Sequence, residues 1–386
     1  MPQSAAIAKR FAAVDSVRGL AALAVACFHF YNQLALSSPA PLWGKAVQLV
    51  MTHGDLGVVV FFVLSGFVIA CSLHGARIDA LLVGKFALRR SLRLDPSYWL
   101  TIFLTYISLL ILMRQGWTTR LELPTGREVV ANMFYLDNLL DCRSIVKVGW
   151  TLCLEIQFYL IFVFLGWLTC IMGGAKPNAW VRGIVFAPFA IWSCLVYSGL
   201  LSIDQAGTFV PLWFMYFLGV TAWWALCAEV PSAWLWSMAA ACSALAYTKA
   251  NADCWVALAT GLGLYLAGRL GRLDTWLSAR VFHSLGRISY SFYLVHPLVG
   301  TNFIRFAQRL LARGTDSLGP FESLLLFILA LGASLLGAQL LYRFVELPSH
   351  RLSRRIQWAK TGTTPPMKGD RPPVSYAAVP AREGVD

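Results

Sequence analysis

An all-α bundle of membrane-spanning helices is the fold class this sequence predicts, and three observations predict it. Hydrophobic residues make up 58% of the 386 positions and charged residues only 13%, where a soluble domain carries about 25% charged residues. Apolar runs recur at bilayer length, about 20 residues each. Fifteen Trp and thirteen Tyr suit the membrane–water interface, where a ring with a polar edge is favoured. The mean hydropathy is +0.63; a soluble protein of this size cannot cover its surface with so few charges.

Ten segments satisfy or nearly satisfy the length requirement, near 15–36, 56–74, 96–114, 150–172, 182–201, 208–227, 231–248, 254–270, 282–304 and 321–345. The first opens at Asp15, a reasonable N-cap. The second carries Gly57 and Gly66, which let helices approach closely, and Ser65, which can face a cavity. The third starts at Pro96, since proline suits the first turn of a helix. The fourth opens on Trp150 at an interface. The ninth is unusually polar, with Ser289, Tyr290, Ser291, Tyr293 and His296, and contains Pro297, whose freed backbone carbonyl must be satisfied by neighbours.

With both termini cytoplasmic, Lys and Arg in the inner segments outnumber those in the outer ones about two to one, as positive-inside loops require. Residues 1–14 then form a cytoplasmic N-terminus that is no cleavable signal peptide, because the apolar stretch after Lys9 and Arg10 runs on into further spans. Residues 15–348 form the membrane domain. Residues 349–386, with Pro365, Pro366, Pro372 and Pro373 among basic residues, form a disordered cytoplasmic tail. The net charge of +13 sits in short loops, so it reads as orientation signal and headgroup contact, and then as a site for an anionic cofactor, with no nucleic acid partner. Nine cysteines form no CxxC pair and no metal-ligand spacing with His, so no metal is expected.

Five stretches can carry chemistry. In DSVRGLAALAVACFHF, Arg18 and His29 are eleven residues apart, about 16 Å along a helix. A histidine among lipid-facing spans faces a cavity or a partner, so His29 is either a general base or a hydrogen-bonded link between helices. In LRRSLRLDPSYW, Arg89, Arg90 and Arg93 lie in a cytoplasmic loop before Pro96. They are either a topology signal or a clamp for phosphates, whose geometry a guanidinium matches. In VGWTLCLEIQFYL, Glu155 lies about 8 Å deeper than Trp150. It either orients an imidazole or binds an acceptor hydroxyl, or it makes an interhelical ion pair. In GRISYSFYLVHPLV, His296 reaches the same outer half of the membrane, so a cluster of His29, Glu155 and His296 is geometrically open. In YRFVELPSHRL, Glu346 is expected to pair with an arginine of the 89–93 block.

In this order, these blocks, with GVVVFFVLSGFVI and RFVELP, resemble the acyltransferase-3 family of integral membrane acyltransferases over about residues 14–350. Arg18 and His29 match its Arg, ten residues, His signature, and Arg90 and Arg93 its Arg-x-x-Arg signature. The resemblance implies a stand-alone form without a periplasmic esterase domain, in the bacterial cell inner membrane. It implies O-acylation, most often O-acetylation, of a carbohydrate or lipid-linked glycan hydroxyl, with cytoplasmic acyl-CoA as donor. His29, Glu155 and His296 then serve catalysis, and Arg18, Arg89, Arg90 and Arg93 serve donor binding. His29 takes the acceptor proton or transiently accepts the acyl group itself. The family often has two adjacent acidic residues at the Glu155 block, where this chain has Ile156, and an apolar residue where this chain has Asp95. The rival classes are a multi-pass transporter or exporter of a small organic anion, which would show inverted repeats and broken helices, and a structural subunit of a polysaccharide-synthesis complex.

Overall fold

The computed structural model describes residues 11–35, 43–115, 122–203, 207–311 and 318–358. Lys9, Arg10 and the tail segment from residue 359 onward lie outside the described residues. Among the described residues the chain is helical and contains no β-strand. The helices are α1 (Ala12–Ala35), α2 (Lys45–Thr52), α3 (Gly57–Leu73), α4 (Ala80–Arg114), α5 (Gly126–Met133), α6 (Gly149–Gly173) and α7 (Ala179–Ser198). They continue as α8 (Trp213–Leu226), α9 (Ala233–Lys249), α10 (Ala252–Arg269), α11 (Arg280–His296), α12 (Asn302–Leu311), α13 (Pro320–Leu341) and α14 (Leu347–Ser353).

Helices lie over all ten segments expected from hydropathy. Six stretches among the described residues are long and apolar enough to cross a membrane: Ala12–Ala35, Lys45–Leu73, Ala80–Arg114, Gly149–Gly173, Ala179–Ser198 and Pro320–Ser353. Outward faces of α7 and α13 expose Ile184, Ile191, Phe321, Ile328 and Leu336. In water such a surface would drive association; against lipid tails it costs nothing.

Three elements differ from the sequence reading. The arginine block is not in a loop ahead of Pro96. Asp79 accepts the Leu82 amide at 2.7 Å and caps a single 35-residue α4 with Pro96 inside it. That helix is about 52 Å long against a hydrocarbon core of about 30 Å, so its basic first half can project beyond the apolar layer. The expected span 282–304 is broken after His296 by a π-helical turn, Pro297–Thr301. A second π-helical turn, Tyr342–Glu346, follows α13. α1 begins before Asp15, which lies in its first turn, where a carboxylate complements the helix dipole.

Two crossings organise the bundle. A Cβ on Gly19 would stand 2.7 Å from the Gly286 nitrogen, and one on Gly286 would stand 2.3 Å from the Asp15 carbonyl oxygen. α1 and α11 therefore touch backbone to backbone. α3 and α8 do the same: a Cβ on Gly66 would stand 1.8 Å from the Tyr216 oxygen, and one on Gly219 1.9 Å from the Val63 oxygen. An aromatic core of Phe158, Phe162, Phe186, Trp213, Tyr216 and Trp224 fills the α6–α7–α8 side. α6 also contributes Leu152 and Cys153 to the core shared with α4 and α11, so it joins the two halves.

The loop before α6 is built. Thr125 and Glu128 make a reciprocal capping box on α5. Asn132 donates to the Arg143 carbonyl at 2.9 Å and accepts the Ile145 amide at 2.8 Å. Burial pushes the Asp137 carboxyl above the usual carboxylate range, opposed by the hydrogen bond from Ser144.

Candidate active site

The crossing of α1 and α11 sets the register of everything that follows on those two helices. Each continues ten residues past its contact glycine, Gly19 or Gly286, and arrives at a histidine. The imidazoles of His29 and His296 stack there, centroids 5.3 Å apart and planes 18° from parallel. His296 is fully buried. Its Nδ1 lies 3.2 Å from the Phe292 carbonyl oxygen. A carbonyl only accepts, so Nδ1 carries the proton and Nε2 presents a lone pair. That Nε2 is buried and has no hydrogen-bond partner among the described residues. His29 is half-buried and makes no hydrogen bond among the described residues. Phe28 and Phe30 flank the pair, with centroids 5.1 Å from His29 and 6.2 Å from His296.

Polar groups continue from this pair toward the end of the bundle where α1 starts. Tyr293, one turn back on α11, has its ring 5.8 Å from His296 and its hydroxyl 2.9 Å from the Thr151 hydroxyl on α6. One turn further along α6 is Glu155. Its Oε1 accepts from Ser65 at 2.7 Å and from Arg90 at 2.9 Å, and Tyr159 bonds to both Glu155 and Arg90. The Arg90 guanidinium lies 4.0 Å over the Tyr159 ring. Tyr290 donates to the Leu94 carbonyl at 2.9 Å, holding α4 level with α11. Ser291 donates to Glu346 at 2.6 Å. Arg18, Arg93 and Glu346 lie within electrostatic range of one another at this end.

The structure thus brings His29 and His296 together, and places Glu155 in a separate group. Glu155 forms an ion pair with Arg90, and among the described residues it makes no hydrogen bond to either imidazole. Arg90, expected as a phosphate ligand, has its head group shared between Glu155 and Tyr159. Arg18 and Arg93 make no ion pair among the described residues, and the carboxyl that acts on both at longer range is Glu346. Arg89 faces away, 4.9 Å over the Trp358 ring. Glu346 takes Ser291 as its hydrogen-bond partner, with Arg93 and Arg18 acting on it at longer range. Asp95 accepts from Tyr135 at 2.8 Å and from Ser91, so it braces α4 against the loop before α6.

Four contributors were not singled out as site residues from sequence. Thr151 gave no signal, because a threonine hydroxyl in an apolar run usually bonds its own helix, and Tyr159 stood out only as a polar group near Glu155. Gln33 and Arg305 meet beyond His29: Arg305 Nε donates to Gln33 Oε1 at 3.0 Å. Gln33 is four residues after His29, one turn further on the same face, and could have been found that way.

A sequence profile described as an acyltransferase domain matches residues 11–343. The chain belongs to the acyltransferase-3 family. This acyltransferase is 27% identical to the acyltransferase MdmB of Streptomyces mycarofaciens over 92% of its own length and 96% of that protein. It is 29% identical to the peptidoglycan O-acetyltransferase OatA of Listeria monocytogenes, over 48% of its own length and 29% of that protein. No solved structure matches it. Its membership makes it a transferase enzyme, and its helices make it a membrane protein.

Proposed function

We propose that this acyltransferase moves an acyl group, most often acetyl, from cytoplasmic acyl-CoA to a carbohydrate hydroxyl presented at the outer face of a bacterial inner membrane, through ten spans with both termini inside. The observation that carries the reading is the stacked His29–His296 pair, with separate polar groups around Thr151, Glu155 and Glu346 lying between it and the end of the bundle that holds Arg18 and Arg93. One end offers two guanidiniums, Arg18 and Arg93, against the one carboxyl of Glu346, and guanidiniums suit the phosphates of coenzyme A. The other offers His296 Nε2 and the His29 ring, neither hydrogen-bonded to any described residue.

The donor's phosphates bind at Arg18 and Arg93, and its arm extends past Glu155. Arg90, Glu155, Tyr159 and Ser65 form a neutral brace that ties α3, α4 and α6 together beside it. At the imidazoles, the acceptor oxygen attacks the thioester carbonyl while His29 takes its proton. The C–S bond then breaks, the coenzyme A thiolate leaves, and it recovers that proton as the thiol. His296 stacks against His29 and fixes the plane of its ring.

The test is transfer of radiolabel from acetyl-CoA to the surface glycans of cells that express the protein, against cells that lack it. Equal labelling of both overturns the reading. A transporter of small organic anions would instead move a labelled anion across the membrane without any covalent transfer.

A further inference from the structure

Beyond the histidine pair, where α1 ends, the bundle carries a cationic rim. Lys147 stands two residues ahead of α6, four residues before Thr151, the partner of Tyr293. It is exposed, and it lies within electrostatic range of His29, His296 and Arg305. Arg305 on α12 is exposed and is steered by Gln33, which takes its Nε at 3.0 Å. Gln33 is in turn held by Gln308, through Gln33 Nε2 to Gln308 Oε1 at 3.2 Å and Gln308 Nε2 to the Gln33 carbonyl at 3.1 Å. α12 is tied across to α4 by Asn302 and Ser108, 3.4 Å apart. Neither Lys147 nor Arg305 forms an ion pair with an acid among the described residues. Two like charges brought together beside neutral imidazoles repel each other. Holding one of them with a glutamine fixes its direction without neutralising it.

We infer that Lys147 and Arg305 bind an anionic group of the acceptor, a uronate carboxylate or a phosphodiester on the glycan, and so place a neighbouring hydroxyl over His29. This rests on the acyl-transfer reading and adds the acceptor's charge class to it. The anion sits at the rim, and the reacting hydroxyl lies one helical turn deeper, at the level of the imidazole.

The experiment uses the full chain in phosphatidylcholine nanodiscs. Binding is measured for three oligosaccharides of one length: neutral, uronate-bearing and phosphodiester-bearing. Acetyl-CoA turnover is followed in the same samples. Wild type is expected to favour an anionic glycan over the neutral one, with affinity that falls as salt rises. The arm that binds better assigns the charge to sugar carboxyl or to phosphate. Lys147→Glu and Arg305→Glu are each expected to lower that preference roughly tenfold or more, the scale of one charge-assisted hydrogen bond. Acetyl-CoA binding in each variant reports that it has folded. Equal binding of all three glycans, or a preference unmoved in both variants, overturns the inference and leaves acyl transfer standing. Loss of glycan preference when phosphatidylglycerol is added would assign the rim to lipid headgroups and also overturn it. Selective glycan binding without any acetyl-CoA binding would keep the rim and overturn the acyl-transfer reading.

Discussion

Placing a methyl group where α1 meets α11 tests whether the contact between these helices sets the geometry of the imidazole pair. In Gly286→Ala the new Cβ would lie 2.3 Å from the Asp15 carbonyl oxygen, where ordinary contact begins at 3.4 Å. Both neighbours are helix backbone and cannot rotate away, so the helices must part by about 1 Å. Overpacking of this kind costs about 1–3 kcal/mol. Catalysis should suffer more than stability, because a displacement of about 1 Å at a reacting group costs about a hundredfold in rate. The two rings 5.3 Å apart lie ten residues beyond the point of separation. The assay is single-turnover transfer of labelled acetyl, with the thermal unfolding midpoint of the same purified protein. Gly263→Ala is the control: nothing lies within 4 Å of its Cβ, and alanine in a helix is favoured over glycine by up to about 1 kcal/mol. Wild-type turnover and midpoint in Gly286→Ala would refute the idea that this contact sets the site.

Other substitutions probe separate parts of the site. His29→Ala should abolish transfer while the protein still inserts and binds acetyl-CoA; normal glycan acetylation in that variant would remove His29 from the mechanism. Arg93→Ala should raise the acetyl-CoA concentration needed by about tenfold or more, the worth of one charge-assisted contact, so unchanged affinity for labelled acetyl-CoA would count against a phosphate site there. Glu155→Gln leaves the half-buried Arg90 without its carboxylate and should lower stability by about 1–3 kcal/mol. The double variant Arg90→Met with Glu155→Leu should recover most of that loss, and a double variant as unstable as the single would show that the pair is not the cause.

Much of the bundle was legible because lipid imposes a simple rule: a span needs a long apolar run, and such runs are visible in one sequence. The rule fails where charge and helix coincide. LRRSLRL reads as a loop by hydropathy, yet it is the middle of α4, because Asp79 caps the helix and Pro96 removes one ladder bond without ending it. The π-helical turns after His296 and Leu341 carry no pattern that separates them from ordinary helix. Within the site, Arg18, His29 and His296 were visible as polar groups among apolar neighbours. Their partners were not, because partner choice depends on which helices are adjacent. α4 lies beside α6, so Glu155 meets Arg90. The capping box at Thr125 and Glu128 was readable from its spacing, but it organises the loop and not the chemistry.

The interval between Arg18 and His29 acts as a ruler. Both sit on one unbroken helix, eleven residues apart, so about 16 Å of rigid rise separates them. Any donor that touches both must carry its negative charge that far from its reactive carbonyl. An acyl phosphate, with phosphate bonded directly to the acyl group, is far too short to bridge the two. A free thioester of small size can reach the imidazole but has nothing to anchor it. If the donor touches both, as proposed, the spacing calls for a carrier with a long tether and is indifferent to the group at its tip, which leaves the choice of acyl chain to the walls around the two rings.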